Sequence, residues 1–295
     1  MTVTIRHMLE EDIPRVGAVM VAAFNDLFRR HGYPAPFPSP AAGTSIAQGY
    51  ARLEPNECFT ALQDGQIVGS GFIHLRGDTA GIGPITIDPS AQAQGAGRAL
   101  MQAVIEAGGA CPSLRLVQDA FNVVSFPLYS TLGFEARGTI ASLVGQHLQA
   151  GVPGDVEIRE WTTEDIEHLA TLDTCLTGIA RKQDMRFFHA QPPHIAAFVQ
   201  GQLVGYLCFL RTEAGTFFGP AAATQPSVLR ALILSATERE QGKALRMRFP
   251  TRHATLLREL LAVGFRVETL QTYMVRGAWQ TPDGAELLAL FPEAL

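Results

Sequence analysis

The residues with the clearest chemical potential form the segment Gln92-Ala93-Gln94-Gly95-Ala96-Gly97. It follows a strand-like run, Ile85-Thr86-Ile87, and a turn at Asp88-Pro89, and it leads directly into helical spacing. A glycine-bearing loop that opens a helix leaves backbone N–H groups without intrahelical partners and adds the positive end of the helix dipole. Glycine also lets an anion approach the backbone closely, so a phosphate or pyrophosphate is the natural ligand. Two other phosphate motifs fit less well. Gly97 is followed by Arg98-Ala99, without the Lys and hydroxyl of G-x-x-x-x-G-K-[ST], and the dinucleotide pattern G-x-G-x-x-G is incomplete. The alternative, read from the loop alone, is that Gly95 and Gly97 serve a tight turn.

The loop has neighbours. Q-x-x-G-x-G is preceded by Asp88-Pro89 and followed by Asn122 and then by Leu128-Tyr129-x-x-Leu132-Gly133-Phe134. This combination resembles the GNAT N-acetyltransferase superfamily, over residues 3–145. The resemblance implies that Gln92, Ala93, Gln94, Gly95, Ala96, Gly97 and Arg98 hold the pyrophosphate of acetyl-CoA. It further implies that Ile85, Thr86 and Ile87 pair with the pantetheine arm, that Asn122 steadies it, and that Tyr129 sits at the sulfur. The implied reaction is direct attack of an acceptor amine on the thioester in a ternary complex. A backbone N–H of Ile85–Ile87 would donate to the oxyanion, and Tyr129, a phenol that ordinarily titrates near 10, would act as general acid. Asp119, His74 and Glu57 are all open as the base, as is a relayed water. Phe24, Asp26, Arg29, Arg30, His31, Tyr33 and Phe37 fall where this superfamily shapes its acceptor pocket, and Phe24, Asp26, Arg30 and Tyr33 are the expected contacts. Mixed charge with aromatics suits a small polar amine. A non-catalytic acyl-CoA-binding or interaction module on the same fold is the alternative.

These residues need a scaffold, and the sequence describes it twice. Ile5-Arg6 with Glu11-Asp12-Ile13 is echoed by Ile158-Arg159 with Glu164-Asp165-Ile166. Gly65-Gln66-Ile67-Val68-Gly69 is echoed by Gly201-Gln202-Leu203-Val204-Gly205, Gly83-Pro84 by Gly219-Pro220, and Gly133-Phe134 by Gly264-Phe265. Matches in one order indicate duplication. The expected division is 1–148 for an N-terminal catalytic unit, a Gly/Pro linker at 149–154, and 155–295 for a C-terminal copy. Periodicity in the first copy gives β-α-(loop)-β-β-β-α-β-α-β, with the four-proline stretch 31–43 excluded from regular helix and strands from Phe134 to Val144 closing the unit. The fold class is α/β (mixed α+β): two tandem GNAT-like domains, each a mostly antiparallel mixed sheet flanked by helices. In the second copy Ala221 to Pro226 replaces the glycine loop, and aligning on Gly-Phe sets His253 opposite Asn122 and Leu260 opposite Tyr129. That copy is therefore expected to fold without catalysing. It would complete the acceptor pocket, stabilise the sheet or bind a ligand, with Leu176 to Asp184 as its contact segment.

Composition bounds the partners. Of 295 residues, 47% are hydrophobic and 17% charged, with a net charge of −5, which is unlike a nucleic-acid binder. No apolar run reaches the roughly 18 residues of a spanning helix, and the N-terminus does not read as a signal peptide. Four scattered cysteines (Cys58, Cys111, Cys175, Cys208) suggest buried thiols in a reducing cytoplasm rather than disulfides or a metal. The expected protein is a cytoplasmic monomer or homodimer with a small-molecule amine substrate, no nucleic acid, no membrane and no metal.

Overall fold

The structure is a computed structural model that describes residues 2–54, 57–109, 111–146, 156–191, 193–212 and 215–290. The expected linker, 149–154, lies outside the described residues.

The first copy runs β1 (Val3–His7), α1 (Ile13–Arg30), α2 (Pro40–Leu53), β2 (Cys58–Gln63), β3 (Gln66–Arg76), β4 (Thr79–Ile87), α3 (Ala96–Ala107), β5 (Ser113–Asp119), α4 (Ser125–Thr131) and β6 (Glu135–Gly145). The second runs β7 (Glu157–Glu160), α5 (Ile166–Thr177), α6 (Lys182–His189), β8 (Ile195–Val199), β9 (Gln202–Thr212), β10 (Gly215–Ala223), α7 (Pro226–Arg239), β11 (Leu245–Pro250), α8 (Ala254–Ala262) and β12 (Arg266–Gly277), with a short β13 (Ala285–Leu287) added. The duplication extends to side chains. Arg6 forms a two-pronged pair with Asp12, whose carboxylate also accepts from Leu9 N. Arg159, Asp165 and Thr162 N repeat the arrangement.

Helix α2 is missing from the sequence reading. Pro40 starts it, at a position where the absent N–H has no intrahelical partner to lose, so the last proline of the stretch opens a helix instead of preventing one. Ala47 and Tyr50 of α2 pack with Val16 and Met20 of α1 over Phe72 of β3. The Asp64-Gly65 turn is a hairpin as expected, with φ of 49° and 78° at its two positions.

The two expected sheets are one. The described strands form a single sheet in the order β1-β2-β3-β4-β5-β12-β6-β11-β10-β9-β8-β7, with β13 on β10. Strand β6, expected to close the first copy, instead pairs with β11 and β12 of the second. Strand β12 of the second copy lies against β5 of the first. The first copy thus gives β6 to the second, and the second gives β12 to the first. Buried apolar side chains cover both parts: Ile73, Leu100, Val104, Leu116 and Met274 beneath α3, and Phe218, Leu232, Met247 and Leu260 beneath α7.

A second seam joins the halves. Arg76 on β3 is 3% exposed and donates through Nε and Nη2 to Asp184 on α6, at 2.7–3.0 Å. It also pairs with Glu54 at 2.5 Å. The expected contact segment is therefore only partly solvated: Arg181 and Asp184 are buried, whereas Lys182 pairs with Glu167 at the surface.

Candidate active site

Strands β4 and β5 are parallel neighbours that pair only at Thr79–Ser113, Ala80–Leu114 and Gly81–Arg115. Beyond Gly81 they part, while β4 stays bound to β3 through Ile85, Thr86 and Ile87. The β5-facing edge of Ile85–Ile87 consequently carries no strand partner among the described residues, and unpaired main-chain groups there suit an extended amide chain. The Thr86 hydroxyl meets that of Ser70 at 2.8 Å.

The glycine loop lies beyond the end of β4. Asp88 caps the short turn Pro89–Ala91, the chain turns through Ala93 (φ 63°) and Gly95 (φ 89°), and α3 begins at Ala96. A β-carbon on Gly95 would meet no heavy atom within 4 Å, whereas one on Gly97 would touch Ile87 at 3.6 Å and Leu128 at 3.8 Å. Gly95 therefore serves two ends: its positive φ needs glycine, and the space beside it is open to an anion. Arg98 is anchored by Thr131 at 2.9 Å, Gln94 accepts from Gln63 at 2.6 Å, and Gln92 accepts from Arg30 at 3.4 Å.

A cavity of about 100 Å³ fills the gap between β4 and β5. Its walls include both Leu116 and Gln118, on the α4 side of β5, and Val117 and Asp119, on the opposite side. It therefore passes through the sheet. Tyr129 lines it from α4; the residue is 8% exposed, and its hydroxyl has no hydrogen-bond partner among the described residues. Burial pushes its pKa up to about 12, so the phenol is protonated at neutral pH. Asn122 also lines the cavity, and its side-chain oxygen accepts from Val124 N and Ser125 N, capping α4. Ser125 donates to Gln118 at 2.7 Å, and Gln118 Nε2 is left buried and unpartnered.

Two residues the sequence reading missed come from the second copy. Gln271 on β12 donates to Asp119 at 3.1 Å, and its own Oε1 is buried without a partner. Arg248 on β11 lines the same cavity. Neither carries a local signal, because strand exchange alone brings it here.

The expected acceptor residues surround this opening unequally. Phe24 and Leu27 line it. Tyr33 stacks on Phe121 at 4.7 Å, one residue from Asn122. Asp26 and Arg30 form an ion pair, and Arg30 also reaches Gln92 of the glycine loop. His74 is the clear correction. It is 1% exposed, Nδ1 meets Glu54, and Nε2 donates to the Gly83 carbonyl at 3.0 Å. Both ring nitrogens are thus engaged within the protein, and His74 is not among the residues that line the cavity. Glu57 is likewise occupied, accepting from Leu75 N at 3.1 Å, and burial raises its pKa. Burial also works to raise Glu54, but its bonds to His74 and Arg76 outweigh that and hold it below the usual range. Glu54, Glu57 and His74 offer ligand atoms within 4.8 Å of one another, yet Glu54 is already paired with Arg76.

Known proteins place this architecture. The family model "Acetyltransferase (GNAT) family" matches residues 20–134, and "Acetyltransferase (GNAT) domain" matches residues 169–288. The chain is 25% identical over 234 residues to the uncharacterized N-acetyltransferase YitH of Bacillus subtilis (strain 168), covering 78% of this chain and 82% of that one. The fold is similar to that of a putative acetyltransferase from Pyrococcus horikoshii, with a TM-score of 0.76, 18% identity and coverage of 97% and 94%. It is also similar to a GCN5-related N-acetyltransferase from Sphaerobacter thermophilus, with a TM-score of 0.66, 13% identity and coverage of 95% and 97%. No helix among the described residues is long and apolar enough to cross a membrane. A parted strand pair, a glycine loop at a helix start and a duplicated sheet thus agree with both family matches, and the chain belongs to the GNAT acetyltransferase family, with two such domains in tandem.

Proposed function

We propose that this protein is an acetyl-CoA-dependent N-acyltransferase that acetylates the amine of a small polar acceptor, at one site in its first copy. The observation that carries this reading is the through-sheet cavity between β4 and β5, lined by Tyr129, whose hydroxyl has no hydrogen-bond partner among the described residues. The open edge of Ile85–Ile87 and the free space at Gly95 fit a pantetheine arm and a pyrophosphate respectively. In this reading the loop from Gln92 to Gly97 and Arg98 take the pyrophosphate, and Asn122 holds the start of α4 beside the arm.

The acceptor enters from the Asp119 face, near Phe24 and Gln271. Its nitrogen attacks the acetyl carbonyl carbon, forming C–N as C–S breaks. A backbone N–H of Ile85–Ile87 donates to the carbonyl oxygen as charge gathers there. Tyr129 donates a hydrogen bond to the departing sulfur. A phenol held at about 12 is a weaker acid than an ordinary thiol near 8.5, so Tyr129 stabilises the thiolate more than it surrenders its proton. The proton that balances the reaction comes from the acceptor nitrogen, through Asp119 or a water, and ends on sulfur. The second copy, without loop or phenol, is a non-catalytic partner whose Arg248 and Gln271 complete the cavity.

The test is thiol release from acetyl-CoA across a broad panel of small amines, for the wild type and Tyr129→Phe. Release with at least one amine is expected, with kcat lowered about 100-fold or more in the variant and CoA affinity retained. Tight CoA binding without thiol release for any amine would leave only the binding-module reading.

A further inference from the structure

A second cavity, of about 230 Å³, lies at the seam between the copies, apart from the acyl-transfer cavity. Its walls come from β5, β6, β11, β12 and β13 and from the turn between α5 and α6, so it exists only because the strands are exchanged. Its lining holds four arginines against one carboxylate, Glu286. Arg252 is paired with Glu286, and Arg137 with Glu135 outside the cavity.

The other two arginines are less satisfied. Arg115 is 5% exposed and has no carboxylate within ion-pair distance among the described residues. Its contacts are the Ser113 hydroxyl at 3.2 Å, the Tyr273 side chain and the face of Trp279 at 5.3 Å. Arg181 is 2% exposed and spends Nε and one terminal nitrogen on Asp173, at 2.7 and 2.8 Å. Its Nη1 is buried with no hydrogen-bond partner among the described residues. An unpaired buried guanidinium is costly unless an anion satisfies it, and a guanidinium fork matches a carboxylate in shape. Tyr273 and Trp279, with ring centroids 5.5 Å apart, supply a flat apolar wall. The volume is just under the roughly 300–1,000 Å³ of drug-sized sites, which suits a small metabolite.

We propose that this cavity binds a small aromatic or similarly flat carboxylate, with its carboxylate on Arg115 and Arg181 Nη1 and its body against Tyr273 and Trp279. The site is separate from acetyl transfer. Arg115, Val117 and Asp119 share one face of β5, and Val117 packs with Tyr273 and Ile140 between the two openings.

Calorimetric titration of the full chain with benzoate, benzamide and inorganic phosphate, without acetyl-CoA, tests this. Benzoate is expected to bind one to one, while neutral benzamide and phosphate, which lacks the apolar body, bind at least tenfold more weakly. Arg115→Gln should weaken benzoate binding about tenfold or more. Gly138 lines the cavity and a β-carbon there meets nothing within 4 Å, so Gly138→Phe should block the site in a folded protein and also weaken benzoate at least tenfold. Failure of folded wild type to bind benzoate, undiminished binding in Gly138→Phe, or phosphate binding as tight as benzoate would each overturn the assignment. Because no acyl donor is present, these outcomes are independent of whether the first copy is a transferase.

Discussion

The two copies build the same slot and fill it differently. In the first, β4 and β5 pair at 79–81 and then part; in the second, β10 and β11 pair at 216–218 and part beyond the matching Gly219-Pro220. The first slot keeps an open edge at Ile85–Ile87, a glycine loop ahead of α3, and Tyr129. In the second, β13 lies along the corresponding edge, Leu287 opposite Ala221, Glu286 opposite Ala222 and Ala285 opposite Ala223. Leu260 replaces the tyrosine and is core, and α7 begins at Pro226 with no glycine loop before it. A parted strand pair is therefore a structural given of this duplicated sheet. Whether it serves a ligand depends on whether the chain itself occupies the edge.

That contrast can be broken at several points. The largest effect is expected from truncating the filler. Leu287 is 1% exposed, so Leu287→Ala should lower stability by about 2–5 kcal/mol, while Ile85→Ala, at the half-buried matching edge, should cost less and show mainly as weaker CoA binding. Urea unfolding and CoA titration measure both. Two CoA molecules bound per chain, in wild type or Leu287→Ala, would end the distinction between the slots.

An intermediate effect should follow pH. His194 in the second copy takes the place of Cys58 in the first, since Trp161 N donates to the His194 carbonyl as Met8 N does to that of Cys58. The His194 ring accepts from Phe209 N at 3.0 Å and donates to the Phe188 carbonyl, so a second proton would confront an N–H. Burial, opposed by the Phe188 bond, lowers its pKa to about 4. Its folded value lies below the ordinary ~6.5, so the unfolded chain takes the proton first. Stability is full above about 6.5 and declines as pH falls through 4, by about 3 kcal/mol in all. Cys58, pushed up to about 12 by burial, stays neutral over that range. His194→Gln should flatten the acid decline; an unchanged profile would remove this asymmetry.

The smallest effect concerns the loop. Gly95→Val forces a β-branched residue to φ 89° and fills open space, so CoA should bind about tenfold more weakly, with a stability loss of about 1–3 kcal/mol. CoA affinity that survives this change would remove the loop from the site.

Much of the scaffold was legible because its signals are local. The glycine loop, the Asp64-Gly65 turn and the repeated Gly-Pro and Gly-Phe steps depend on a few adjacent residues. Tyr129 and Asn122 were singled out through the family resemblance that their spacing carries, and both line one cavity. What escaped depends on distant partners. No periodicity distinguishes a β6 that pairs with β5 from one that pairs with β11, so Gln271 and Arg248 could not be assigned to the site. His74 reads as a potential base on its strand; only Glu54, just past the end of an α2 hidden behind prolines, shows that its ring is engaged. β13 is three residues long, too short to declare a period.

Strand exchange has a consequence for how the chain folds. Asp119 meets Gln271, and the two are 152 residues apart in sequence. During synthesis the edge of β5 therefore waits, unpaired, until nearly all of the second copy has been made. Contacts of such span slow folding, and a waiting strand edge invites wrong partners. The first copy cannot complete its sheet before the second does, so whatever delays β12 also delays the first slot.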